Sequence, residues 1–163
     1  MNSPFRRASH AAAAPFVVAF ISSAIAVLHV GISFAADLSS PLGVWKTFDD
    51  KTGKARAIVR IYEQDGKLFG KVEQSMTPGA ESRVCVECTD ERKGQPMLGL
   101  VIIRNMKRTE DGWAGGDILD PDNGSVYRCK LHLDEGGTKL VVRGFIGISL
   151  LGRTQIWERQ GSP

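Results

Sequence analysis

The stretch Val126-Tyr127-Arg128-Cys129-Lys130-Leu131-His132-Leu133 decides the architecture, because from Tyr127 onward apolar and polar side chains alternate. In an extended chain Tyr127, Cys129, Leu131 and Leu133 share one face, while Arg128, Lys130 and His132 share the other. The segment therefore reads as a strand with one face on a core and one in water. Outward from it, turn signals recur at nearly even spacing: Asp49-Asp50-Lys51-Thr52-Gly53, Asp65-Gly66, Asp111-Gly112, Asp120-Pro121-Asp122-Asn123-Gly124, Asp134-Glu135-Gly136-Gly137 and Leu151-Gly152. Asp-Gly and Asn-Gly tolerate the positive φ that tight hairpins require. The stretches between them, rich in β-branched and aromatic residues, predict strands at 42–48, 55–62, 67–74, 98–107, 113–119, 125–133, 139–148 and 154–159, and no helix.

Eight short antiparallel strands in hairpin order fit an all-β, up-and-down barrel, whose closure removes the sheet edges that an open meander would expose. A two-sheet sandwich shares the strand count and the turn spacing, and is the competing architecture. One long segment, 75–96, interrupts the meander between the third and fourth strands. Loops of that length in a compact domain are often lids or binding loops, and this one is placed to cover one mouth of a barrel.

The first residues read as an address. Met1 to His10 carries Arg6 and Arg7 and no acid, Ala11 to Ile32 is almost wholly apolar, and Ser33-Phe34-Ala35 follows. That is the charged start, apolar middle and small-x-small exit of a secretory signal peptide, with cleavage expected after Ala35 and a periplasmic destination. An uncleaved anchor is the rival, since the apolar run approaches the roughly 20 residues that span a bilayer. Pro15, Ser22, Ser23, His29 and Gly31 weigh against it, so no stable membrane insertion is expected after cleavage. The mature chain, 36–163, is one domain of 128 residues. Removal of Arg6 and Arg7 lowers Lys+Arg from 21 to 19 against 18 Asp+Glu, so charge supports no nucleic-acid partner.

Cys85-Val86-Glu87-Cys88 has the spacing of a redox dithiol, but no strand-helix-strand pattern surrounds it. In an oxidising compartment a disulfide is expected, either Cys85 with Cys88 or one of them with Cys129. A zinc set built from Cys85, Cys88, Cys129 and His132 has the right ligand types. Positions 129 and 132 project from opposite faces of a strand, however, so no metal is expected. His132 is the one histidine left after cleavage and lies among Arg128 and Lys130, which offers no catalytic pair. Asp120 and Asp122 flank Pro121 before Asn123-Gly124, which is turn chemistry. Asp117, if inward, needs a partner, with Arg143 and Arg153 as candidates.

Three stretches carry a family resemblance. They are Leu42-Gly43-Val44-Trp45-Lys46-Thr47 with Asp50-Lys51-Thr52-Gly53, Gly115-Gly116-Asp117-Ile118-Leu119-Asp120-Pro121 with Tyr127-Arg128-Cys129, and Val142-Arg143-Gly144-Phe145-Ile146-Gly147 through Gly152-Arg153-Thr154-Gln155-Ile156-Trp157. Together they resemble the bacterial exported family known as domain of unknown function 2147, and the Cys85-x-x-Cys88 loop fits it too. The resemblance implies a lipocalin-like barrel in a bacterial envelope and no assigned activity. Gly43-x-Trp45 also resembles the Gly-x-Trp signature of lipocalins, whose Trp closes one barrel end beneath a basic residue of the last strand. Arg153 or Arg159 is placed for that structural role here.

The expected function is binding of one small apolar or amphipathic ligand inside the barrel, without catalysis or cofactor. An eight-stranded barrel either packs solid or holds one such ligand. Tyr62, Leu100, Ile102, Tyr127, Arg143 and Phe145 are the expected interior or mouth residues, with Arg153 and Gln155 as polar groups that orient a head group. The competing readings are an envelope interaction module docking through 75–96, and a thiol-dependent enzyme. Nothing in the sequence reads out an oligomeric state.

Overall fold

In the computed structural model, which describes residues 37–161, each hairpin signal turns the chain back on itself until the last strand meets the first. The strands are β1 (Gly43–Phe48), β2 (Ala55–Gln64), β3 (Lys67–Ser75), β4 (Val101–Thr109), β5 (Gly112–Asp120), β6 (Ser125–Asp134), β7 (Lys139–Phe145) and β8 (Gly152–Arg159). They form a closed antiparallel barrel in the order β1-β2-β3-β4-β5-β6-β7-β8, which excludes the sandwich. The export signal expected at 1–35 lies outside the described residues.

Strand positions follow the sequence reading with two corrections. Residues 98–100 belong to the loop before β4, and β7 stops at Phe145, leaving 146–148 in the β7–β8 connection. In both places an apolar run was read as strand, although its residues leave the ladder: Leu98 is exposed, as are Ile146 and Ile148. In β6 the alternation appears as expected, with Cys129 and Leu131 buried and Arg128, Lys130 and His132 exposed.

The closure seam is short, pairing Trp45 with Arg159 and Lys46 with Glu158. It is completed by the Gln160 N–H on the Val44 carbonyl at 2.8 Å and by Lys46 Nζ on the Glu158 carboxylate at 3.0 Å. This register sets Arg159 across from Trp45, with the guanidinium carbon 4.2 Å from the indole centroid, within cation–π range. Trp45 is fully buried and its Nε1 donates to the Pro41 carbonyl at 2.8 Å. Arg159 donates through Nε to Gly137, Nη1 to Leu42 and Nη2 to Ser40, all on carbonyls. Gly43 has φ +121, a backbone conformation that glycine adopts readily and other residues rarely do. These groups seal one end of the barrel. Ile61, Met106, Leu131 and Leu140, all at 1% exposure or less, fill the interior above that seal.

At the other end the 76–100 loop is held down by covalent and ionic ties. Cys85 and Cys88 are bonded to each other, and both are buried. Their loop folds as a small hairpin, with Cys85 N–H on Gln95 O and Gly94 N–H on Cys85 O, both at 2.9 Å. It rests on the β5–β6 turn at Gly124, where a Cβ would stand 1.9 Å from the Glu87 carbonyl oxygen. Arg92, 3% exposed, donates to both Asp90 oxygens and to the Val101 carbonyl. Arg104 on β4 joins the cluster through Asp90, Glu91 and Asp117.

Candidate functional site

A cavity of about 520 Å³ occupies the half of the barrel away from Trp45. That volume falls in the range of sites that enclose a small organic ligand, roughly 300–1,000 Å³. Its deep wall is apolar: Val59 from β2, Val72 from β3, Ile102 from β4, Ile118 from β5, Val142 from β7 and Trp157 from β8. Strand alternation aims these side chains inward, and β4 adds a departure from it. The register slips between Gly70↔Ile103 and Lys71↔Val101, inserting one extra residue, so that Ile102 and Ile103 are both buried.

The mouth is polar. Thr47, Arg56, Ser75, Arg83, Asp120, Asp122, Arg153 and Gln155 all border the cavity there. Asp122 bridges Arg56 and Arg83, Arg153 pairs with Asp50, and Arg56 also lies 3.8 Å from Asp49. Gln155 donates to Asp50 at 3.1 Å and accepts the Trp157 indole N–H at 3.1 Å, linking the rim to the deep wall. Opposite charges alternate around the opening, so the mouth presents paired dipoles and no strong field of either sign.

Of the residues expected to line the interior, Ile102, Tyr127, Phe145, Arg153 and Gln155 border the cavity, and three do not. Tyr62 is on the outer face, its ring stacked on Phe69 at 5.8 Å with the Lys71 ammonium 5.9 Å from the ring centroid. Its neighbour Ile61 takes the inward position, and in a strand the next side chain must face out. Leu100 is buried at 1% exposure in the core cluster but does not border the cavity, and its carbonyl accepts the Val72 N–H. Arg143 faces out because Val142 faces in. Its guanidinium donates to the carbonyls of Ser149 at 2.7 Å and Leu150 at 3.1 Å and to the Thr154 hydroxyl at 2.6 Å, clasping the β7–β8 loop.

Asp117 also requires correction. It is outward, opposite Arg104 in the β4–β5 register, and pairs with Arg104 at 3.2 Å and Arg92 at 3.9 Å, not with Arg143 or Arg153. Of the two arginines considered for the Trp45 cap, Arg159 takes the place and Arg153 lies at the opposite end. Residues missed at the sequence level include Val59, Val72 and Ile118. Their signal was the inward parity of β2, β3 and β5, which the bulges recorded between Ile58/Val59 and Ala114/Gly116 obscure.

The thiol of Cys129 is buried on β6, and burial, assisted by the nearby Asp117 charge, pushes its pKa up to about 12. It is therefore a poor nucleophile at neutral pH. Cys85 and Cys88 are consumed in their mutual bond, and His132 is on the outer surface. Among the described residues no group of three or more His, Cys, Asp or Glu side chains is placed to hold a metal ion.

A closed eight-stranded meander, capped at one end by Arg over Trp and hollow at the other, is the architecture of a lipocalin-like barrel. A solved structure supports that class: the Helicobacter pylori protein HP1028, described as belonging to the lipocalin family, superimposes with a TM-score of 0.65 at 16% identity, covering 75% of this chain and 84% of that one. More particularly, the model of the family described as "Uncharacterized protein conserved in bacteria (DUF2147)" matches residues 43–159, from the first strand to the last, and the chain belongs to that family. No curated protein matches it.

Proposed function

We propose that this protein is an exported, non-catalytic carrier that holds one small apolar or amphipathic ligand in its barrel. One observation carries the reading: a cavity of about 520 Å³ with an aliphatic floor and a polar rim, in a barrel whose other end is sealed. Apolar walls favour a hydrocarbon body by about 25 cal/mol per Å² removed from water, while Gln155 and the paired rim charges keep a polar head hydrated or hydrogen-bonded at the opening. The absence of catalysis is inferred from the same geometry. The rim arginines are neutralised by Asp50 and Asp122, and the described thiols are bonded or buried. Export is inferred from 1–35 and agrees with the Cys85–Cys88 disulfide, which suits an oxidising compartment. Protein taken from the envelope then begins at Ala36.

The test is titration of delipidated protein with cis-parinaric acid. One probe per chain is expected, and filling the cavity with Ile118→Trp, or independently with Val59→Phe, weakens binding at least about tenfold, as loss of a bound side chain's worth of contact implies. Circular dichroism and urea midpoints establish that each variant folds. Absence of probe binding by folded wild type, or binding indifferent to both fillings, refutes the carrier.

A further inference from the structure

Between β7 and β8 the chain runs Ile146-Gly147-Ile148-Ser149-Leu150-Leu151, six residues without a charge. Its four aliphatic side chains are held in water, with Ile146 69% exposed, Ile148 62%, Leu150 81% and Leu151 70%. Single exposed aliphatics are ordinary, but four together on one hairpin tip are not. Nor is the tip a floppy excursion, since Arg143 ties down its backbone at Ser149 and Leu150. The partners of that arginine are carbonyls and a hydroxyl, so among the described residues no carboxylate pairs with its positive charge at the base of the apolar tip.

We propose that this tip inserts into the surface of a lipid bilayer and seats the mouth of the barrel on the membrane. Three features favour a bilayer over a protein. A hairpin tip of four side chains is far smaller than the roughly 1,000 Å² a specific protein interface needs. A short apolar prow with a cation at its base suits insertion at the headgroup boundary, where the hydrocarbon enters and the guanidinium stays with the phosphates. Finally, the tip is continuous with the cavity: Ile146 and Leu151 belong to its lining, while Ile148 and Leu150 extend outward from them. An apolar molecule passing between bilayer and barrel along that path avoids water. The proposal extends the carrier reading, but insertion is measured without any cavity ligand.

The protein is expressed with its signal, taken from the envelope as the processed chain, and labelled at Leu150→Cys with an environment-sensitive nitrobenzoxadiazole. Cys129 is buried and Cys85 and Cys88 are bonded, so the introduced thiol is the reactive one. A second protein is labelled at Gly66→Cys, in the β2–β3 turn at the sealed end. With vesicles of phosphatidylethanolamine and phosphatidylglycerol, emission at 150 should rise several-fold and be quenched by bromine on the acyl chains, while emission at 66 stays unchanged. Adding Ile148→Asp should abolish the rise at 150 and leave parinaric acid binding intact. An unchanged signal at 150, equal changes at both sites, or a rise that follows protein concentration without vesicles would each overturn the proposal, the last by making a second copy the occupant. Loss of parinaric acid binding in wild type with insertion retained would count against the carrier alone.

Discussion

Replacing Arg159 by methionine tests whether the Arg–Trp cap holds the barrel shut, because methionine keeps an aliphatic stem against Trp45 and removes the charge and the donors. The structure sets the size of the effect. The guanidinium makes three hydrogen bonds, to Gly137 O at 2.6 Å, Leu42 O at 2.9 Å and Ser40 O at 2.6 Å. Gly137 is buried, so its abandoned carbonyl costs about 1–3 kcal/mol, whereas Leu42 and Ser40 are accessible enough for water to replace the donor, at about 0.5 kcal/mol each. The cation–π contact over Trp45 adds about 0.5–1 kcal/mol at this partly exposed site. The loss comes to about 2.5–5 kcal/mol, or about 10–20 °C in Tm for a domain of this size. Urea titration followed by Trp fluorescence measures it, with Arg159→Lys recovering part of the loss, since an ammonium cannot reach three divergent carbonyls. The cap is at the end opposite the cavity, so parinaric acid binding by the folded variant should be unchanged. A loss under about 1 kcal/mol, or full rescue by lysine, would refute the account of the cap.

Two further outcomes follow from the ties on the 76–100 loop. Replacing Cys85 and Cys88 together by serine opens a four-residue covalent loop and should lower stability by about 2 kcal/mol, read from urea midpoints, without a change in secondary structure by circular dichroism. Asp90 gives a pH signature. The hydrogen bonds from Arg92 hold its carboxyl down, from an ordinary value near 3.8 to about 2. A carboxylate depressed in the native state contributes stability that is complete above about pH 4 and is lost as pH falls toward about 2. The wild type should therefore lose roughly 1–2 kcal/mol more than Asp90→Asn across that window, and parallel urea midpoints would contradict the pairing.

How far the molecule was legible before its structure depended on range along the chain. Alternation in 126–133 and the Asp-Gly and Asn-Gly turns report local backbone preference, and they sufficed for eight hairpin-linked strands. Gly43-x-Trp45 likewise pointed to a capped end. Which arginine formed the cap was settled by register: only the pairing of β1 with β8 sets Arg159, and not Arg153, across from Trp45. Inwardness failed where parity was disturbed or unread. Tyr62 and Arg143 carry side chains a site could use, yet Ile61 and Val142 hold the inward positions beside them.

From sequence alone, then, came the strand count, the family resemblance, the export expectation and the pairing options of three cysteines. Tertiary structure chose among what those left open. Closure, a long-range event, eliminated the sandwich. The bond between Cys85 and Cys88 left Cys129 as a buried thiol on β6. Asp117, for which an interior partner was sought, faces outward and braces the loop through Arg104 and Arg92. Above all, whether an eight-stranded barrel is solid or hollow is a matter of summed side-chain volume across all strands, which no local pattern encodes. Here the half near Trp45 is filled, and the half beneath the 76–100 loop is open.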